Sequence, residues 1–389
     1  MLKINRLLIH NINNLRDFEI KFNDGINIIC GQNGAGKTSI LNCILGSLRR
    51  KKLGTLNIHA NGTYGFWEIV YINNYQSQFR VHYIDRDEGI KDTPHIKGNK
   101  LISTKYIISF PINNRNLNSN HNLSFSSLKR WMYKNYFQSD LNYSKESNFK
   151  MTRDCFSMID SNISFSKIEE QSDKYMITNS FYENHKYDIY VNTPKGEILI
   201  DHMSSGYQST LIILLNLIKK VESLDSLGIT VHNYEGVVLI DEIDLYLHPE
   251  WQKKLLEIIR WLLPNAQIIT TTHSPHIIQS ALPGEIIPLG TDMNGDTYIR
   301  DLPDSSQFGY QGWTIEEILT DVMGLKETRS IEYKIAIRNF DIAVDNEDRQ
   351  RAIFEYTKLE NMLHPNNHSL KLLKLQLASL GGFENDKNQ

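Results

Sequence analysis

Gly31-Gln32-Asn33-Gly34-Ala35-Gly36-Lys37-Thr38 fits the pattern G-x-x-x-x-G-K-[ST]. In that pattern backbone N–H groups and a lysine converge on nucleotide phosphates, and the hydroxyl ligates magnesium. Much later in the chain the apolar run Val237-Val238-Leu239-Ile240 ends in two carboxylates, Asp241 and Glu242. A carboxylate there, with the Thr38 hydroxyl, suits Mg2+, a hard cation that prefers oxygen ligands. The second carboxylate can serve as general base for an attacking water. His273 follows the run Gln267-Ile268-Ile269-Thr270-Thr271-Thr272 and can hydrogen-bond a γ-phosphate. The chemistry these residues imply is binding of a nucleoside triphosphate with magnesium, and its hydrolysis. Each also has a plainer reading: a Gly-rich turn, an acidic helix cap and a strand-end histidine satisfied by backbone.

Such chemistry needs particular elements around it. Ile26–Cys30 is expected as a buried strand feeding the glycine loop, whose turns need backbone angles that glycine tolerates. A helix opening at Thr38 and Ser39 would aim its N-terminus at the phosphates. Asn33, Gly34, Ala35, Gly36, Lys37, Thr38 and Ser39 are therefore the expected nucleotide-facing residues. Asp244 to Pro249 should form the turn after the acidic pair. Between the two motifs, Met203-Ser204-Ser205-Gly206-Tyr207-Gln208 opens an apolar helix, with Ser204, Ser205 and Gly206 at its start. Its plainer reading is a serine N-cap on a buried helix.

Four segments are expected: 1–75 with the first strands and the glycine loop, 76–174 as a lid insertion, 175–290 with the remaining core, and 291–389 as a helical tail. In the insertion, Asn113 to Ser127 is Asn- and Ser-rich, and a helix is expected near Leu128–Gln138. That helix mixes bases and aromatics. Such a mixture serves nucleic-acid surfaces, but it also describes an amphipathic helix whose aromatics face a core. Pro194-Lys195-Gly196 between alternating runs signals a hairpin. Thr314–Met323 is expected as a helix, and Ser330 to Leu380 as two or three more.

Composition narrows the classes. The 389 residues can bury a large core, and a net charge of −3 supplies no global basic field toward nucleic acid. Three cysteines without C-x-x-C spacing suggest a reducing cytoplasm. No 18-residue apolar run predicts a membrane span, and the N-terminus lacks a signal-peptide pattern.

These motifs, in this order, resemble the ABC-type ATPases of the repair and defence branch, relatives of the SMC, RecF and OLD proteins. The match covers about residues 1 to 290. The resemblance implies an α/β fold: an ABC-type P-loop ATPase core with a mixed sheet, an antiparallel β subdomain, a helical lid insertion and a C-terminal helical tail. It assigns Gly31–Thr38 to Walker A, Ser204-Ser205-Gly206 to the signature, Val237–Asp241 to Walker B, Glu242 to catalysis, Asp244 to the D-loop and His273 to the switch. It implies ATP and Mg2+ as ligands, and a homo-oligomer in which one copy's signature closes over ATP held by another. The usual signature is Leu-Ser-Gly-Gly-Gln; here the second residue after Ser204 is still glycine, but Ser205 replaces a glycine and Tyr207 the glutamine. No Gln loop is evident near Ile107–Arg115, and the Asn-Phe-Arg of many relatives is Asn11-Ile12-Asn13 here.

The tail lacks the clustered carboxylates of an OLD nuclease, so no nuclease site is expected in this chain. The run Gly312–Gly324 with its helical tail resembles the PtuA family, ATPases of Septu and retron antiviral defence systems. That resemblance implies a separate HNH endonuclease partner, with any nucleic-acid contact through the complex. Two other readings remain open. A RecF- or SMC-like repair ATPase would grip DNA itself. A transporter subunit would need a membrane partner, a Gln loop and a standard signature.

Overall fold

The computed structural model describes residues 1–49, 56–60, 62–73, 76–85, 89–93, 106–110, 125–137, 143–171, 186–224, 228–303 and 306–381. The chain divides into two units, Met1–Leu325 and Lys326–Gln389.

Among the described residues the first unit contains three sheets. Strands β1 (Leu2–Ile12), β2 (Leu15–Lys21), β4 (Tyr64–Asn73), β5 (Gln76–Asp85) and β6 (Gly89–Thr93) form an antiparallel sheet in the order β2-β1-β4-β5-β6. The second sheet contains β3 (Ile26–Gly31), β7 (Ile107–Phe110), β11 (Val237–Ile240), β12 (Gln267–Thr271), β13 (Ile286–Thr291) and β14 (Thr297–Ile299). Its order is β14-β13-β3-β12-β11-β7, parallel throughout except for edge strand β14. The third is a small antiparallel sheet of β8 (Ser164–Gln171), β9 (Lys186–Thr193) and β10 (Gly196–Leu199), whose β9–β10 hairpin turns at the expected Pro194-Lys195-Gly196.

Strands β3, β11 and β12, central in the sheet, and edge strand β7 are buried along their whole length, as parallel strands covered on both faces must be. Their side chains sort by the two-residue strand period. Ile28, Cys30, Ile108, Val238, Ile240 and Ile268 face one core. That core also takes α2 (Phe125–Phe137), α3 (Tyr143–Ile159), α4 (Ser205–Ser223), α5 (Pro249–Leu262) and α6 (Pro275–Gln279). Ile29, Ile107, Val237, Leu239 and Ile269 face a second core, shared with the antiparallel sheet and helix α1 (Lys37–Arg49). The parallel register pairs Ile29 with Thr271, Ile240 with Thr270, and Leu289 with Gly31. The carboxyl ends of β3, β11 and β12 therefore share one edge, where α/β sheets bind ligands.

The boundary expected after residue 75 falls between the paired strands β4 and β5, which match Asn73 with Gln76. Segment 76–174 thus supplies β5 and β6 to the first sheet and β7 to the second. Arg115 and the surrounding segment lie outside the described residues. Thr314–Met323 is shorter as an α-helix than expected. Only α7 (Ile315–Glu317) is α-helical, with a Thr314–Glu317 capping box, and Ile318–Val322 continues as a π turn. The second unit is three helices, α8 (Ile331–Asp345), α9 (Arg349–Met362) and α10 (His368–Ser379), around Ala336, Phe340, Tyr356, Leu359, Leu373 and Leu377. Among the described residues no helix is long and apolar enough to cross a membrane. Cys30, Cys43 and Cys155 are buried and unbridged, and burial pushes the Cys30 thiol up to about 12.

Candidate nucleotide site

The glycine loop bridges β3 and α1. Gly31 has φ +141°, and a Cβ there would lie 2.5 Å from the Leu289 carbonyl oxygen, so neighbouring β13 and the backbone angle both require glycine. Lys37, the first residue of α1, is buried, and its Nζ donates to the carbonyls of Gly31 (3.0 Å) and Gln32 (2.8 Å). Burial draws its pKa below the ordinary lysine value, opposed by Cys30 and by the carboxylates Glu242, Asp241 and Asp244. Desolvation is the larger effect, which the neighbouring carboxylates offset only in part.

The acidic pair emerges from β11 at the same edge. Thr38 Oγ1 donates to Asp241 Oδ1 at 3.3 Å, and Thr271 Oγ1 donates to the same oxygen at 2.6 Å. The Glu242 backbone N–H donates to Thr271 Oγ1 at 2.7 Å. One strand-end threonine therefore fixes both carboxylate-bearing residues. Glu242 has φ +48°, a left-handed conformation that costs energy in a non-glycine residue and that concentrates at functional sites. Tyr246, exposed in the following turn, has φ +65°.

Asp244 ties that turn to the switch strand. Its Oδ1 accepts from Thr272 Oγ1 (2.5 Å) and from the His273 backbone N–H (3.2 Å). Gln252 on α5 accepts from Ser274 Oγ (2.5 Å) and donates to the Leu247 carbonyl (3.0 Å), bracing the same junction. His273 is half-buried. Burial, then the Lys37 charge, lower its pKa, with Asp244 and Asp241 opposing, so the ring is neutral at pH 7.

Ser204, Ser205 and Gly206 stand apart from this cluster. Ser204 is the N-cap of α4, its hydroxyl accepting from the Tyr207 N–H at 3.4 Å, and both serines are exposed. Gly206 is pressed against α5; a Cβ there would lie 2.2 Å from the Trp251 ring. Tyr207 is a core residue whose hydroxyl donates to the Phe156 carbonyl at 3.0 Å. Among the described residues no hydrogen bond joins Ser204–Gly206 to the glycine loop.

Several contributors went unforeseen. Asn13 donates to Ser39 Oγ (2.7 Å), while Asn14 donates to the Gly34 carbonyl (2.6 Å) and to Thr297 Oγ1 (2.8 Å). The β1–β2 turn therefore clamps the glycine loop from outside. Asn-rich turns with positive φ, as at Asn11 and Asn13, were the available signal. Thr271, Thr272 and Gln252 carried no signal beyond their place near the motifs.

The base- and aromatic-rich helix α2 is largely consumed internally. Leu128 and Met132 are buried, Trp131 donates to Glu222 Oε2 (2.7 Å), Tyr133 to Glu170 Oε2 (2.7 Å), and Lys129 pairs with Asp201 (2.5 Å).

The oxygen donors fit a magnesium ion, a hard cation: the Thr38 hydroxyl faces the Asp241 carboxylate. Thr38 and Asp241 would hold it, and bound there it would neutralise phosphate charge.

Residues 71–279 match the family described as "AAA domain, putative AbiEii toxin, Type IV TA system". The "Septu protein PtuA" of Bacillus thuringiensis is 36% identical over 407 residues, spanning 98% of this chain and 99% of that protein. The "Retron Vc95 probable ATPase" of Vibrio cholerae is 35% identical over 92 residues, covering 23% of this chain and 18% of its own length. Among solved structures, an SMC head bound to the C-winged helix domain of ScpA superposes with TM-score 0.51 at 16% identity, covering 77% of this chain and 97% of that one, a likeness of fold alone. The core is thus that of an ABC-type P-loop ATPase, and the near end-to-end match at 36% identity means that the chain belongs to the PtuA family of Septu proteins.

Proposed function

We propose that this protein binds and hydrolyses ATP, and that its nucleotide state governs a partner HNH endonuclease in antiphage defence. The observation that carries the catalytic part is the shared anchoring of Asp241 and Glu242 on Thr271, beside Thr38 and Lys37. Lys37 would turn from the Gly31 and Gln32 carbonyls to the β- and γ-phosphates. Asn33, Gly34, Ala35, Gly36 and Ser39 line the phosphate side of the loop, Gly34 with open space where a Cβ would stand. Glu242 takes a proton from the attacking water as its oxygen bonds to the γ-phosphorus and the β–γ bridging oxygen leaves with ADP. His273, neutral, donates a hydrogen bond to a γ-phosphate oxygen. Asp244 braces the switch rather than the nucleotide.

Ser204 and Ser205, exposed at the start of the 19-residue helix α4, would face the γ-phosphate held by a second copy, and the working unit would then be a homodimer or larger. The nuclease assignment rests on family membership. The test is to tag the protein in its native operon and measure both ATP turnover and what co-purifies. Turnover with a stoichiometric HNH-type protein supports the proposal. Recovery alone, with salt-sensitive DNA binding by the isolated chain, would replace it with a DNA-gripping ATPase.

A further inference from the structure

Gln32 holds two things at once. Its backbone carbonyl accepts from Lys37 Nζ at 2.8 Å. Its side-chain Nε2 donates to the carbonyl of Gly324, almost three hundred residues away in sequence. Two residues earlier, the Val322 carbonyl accepts from Arg300 Nη1 at 3.1 Å. Two groups beside the nucleotide sheet thus grip nearby carbonyls of one segment, Trp313–Leu325.

That segment is built as a strap rather than a linker. Gln279 Nε2 donates to the Trp313 carbonyl at 2.8 Å. Ile318, Val322 and Met323 are buried in the same core as α6. The π turn closes with Met323 N–H donating to the Ile318 carbonyl at 2.9 Å, and Leu325 N–H donates to that of Leu319 at 2.8 Å. A single π turn stores an extra residue that a small shift can absorb or release. Gly324 has φ +78°, and a Cβ there would lie 2.5 Å from Arg300 Nη1, so the gripped position admits only glycine without displacement. The second unit begins directly after, at Lys326.

We propose that Gln32 is a positioning residue that latches the strap Trp313–Leu325 to the phosphate loop and so transmits nucleotide occupancy to the start of the C-terminal helical unit. The inference rests on the ATP-binding reading above. When Lys37 turns to phosphate, Gln32 loses the contact on its carbonyl, and the latch on its side chain shifts with it. The sequence shows why this went unseen: Gln32 occupies a variable position of the loop pattern, and Gly324 lies in a run that carries no phosphate motif.

The test is amide hydrogen exchange on the full-length protein, with and without magnesium and a non-hydrolysable ATP analogue. It compares wild type with Gln32→Met, which keeps length and removes the donor, and with Gly324→Ala. Without nucleotide, both variants should exchange the Met323 and Leu325 amides about fivefold faster, the loss of one hydrogen bond's protection. In wild type the analogue should change exchange across Ile318–Leu325. At analogue concentrations that a binding titration shows to saturate each protein, Gln32→Met should show no such change. Unaltered baseline exchange in Gln32→Met, or an analogue response that survives in it, overturns the latch. Wild type that binds analogue with no response in the strap overturns it equally. Failure of wild type to bind the analogue sinks the nucleotide reading instead, while the baseline comparison still decides whether the latch exists.

Discussion

The glycine loop with its carboxylates and the start of α4 are two helix-terminus sites built to opposite specifications. Lys37 and Asp241 are buried and Glu242 is half-buried, and Thr38, Thr271, Thr272 and Asp244 cross-link three strand ends. At α4 the serines are exposed and bond only locally, while rigidity comes from Gly206 against Trp251 and Tyr207 against Phe156. The first region is a preorganised electrostatic site, in which fixed dipoles act at low dielectric. The second is a packed pedestal with two hydroxyls at its exposed end. A site complete in itself needs no such pedestal, and a shared site needs one on every copy.

If this contrast is right, substitutions in the first region should remove chemistry while sparing the fold. Glu242→Gln should lower the turnover rate by about a hundredfold to ten-thousandfold, as loss of a general base does. ATP binding should be retained, because the Glu242 contact with Thr271 is made by its backbone. Wild-type turnover in this variant would break the assignment. Lys37→Ala comes next. Losing charge-assisted hydrogen bonds to phosphate should weaken ATP affinity by about tenfold to a hundredfold, measured by titration with a fluorescent analogue. Equal affinity would leave Lys37 a structural plug on the Gly31 and Gln32 carbonyls.

In the second region the sign of the effect should reverse: stability falls first and chemistry follows. Gly206→Ala drives a methyl into the Trp251 ring and should cost about 1–3 kcal/mol of unfolding free energy. Trp251→Leu in the same chain should recover part of that loss by opening space. A Gly206→Ala protein as stable as wild type would mean that the pedestal is not tightly packed.

What the sequence disclosed follows the same division. The glycine loop, the strand–acid pair and His273 are local patterns in which residue type, spacing and apolar strand context fall within a few positions, so each was visible. The partners that give them geometry come from far away: Asn14 from a β1–β2 turn, Thr297 from edge strand β14, Gln252 from the middle of α5. Their chemistry is ordinary, and only the sheet order β13-β3-β12-β11 brings them together. The placement of α2 was legible for a similar reason. Leu128 and Met132 recur at helical spacing and predict a buried stripe, whereas Trp131 and Tyr133 needed the acceptors Glu222 and Glu170 from α4 and β8 to explain their inward place. The π turn at Ile318–Val322 replaced most of an expected helix because its carbonyls are claimed by the strap's own closure, which periodicity cannot register.

Ser204→Ala should be the mildest change and the one that sharpens the comparison most. The hydroxyl caps α4 at 3.4 Å from the Tyr207 N–H, a long contact, so its removal should cost at most about 1 kcal/mol of stability. If capping were its whole role, turnover at saturating ATP would stay within about twofold of wild type at every protein concentration. A hydroxyl that donates to the γ-phosphate of ATP on a second copy behaves differently. Its loss should lower turnover by about tenfold, and ATP should no longer shift the protein toward the dimer in sedimentation. The two roles separate because a cap acts within one chain and shows no dependence on its partner. Mixing Ser204→Ala with Lys37→Ala makes this explicit. Each mixed dimer has one composite site that combines the intact glycine loop with an intact signature, so turnover on mixing should exceed the sum of the two variants measured separately if the site is shared, and equal that sum if each chain works alone.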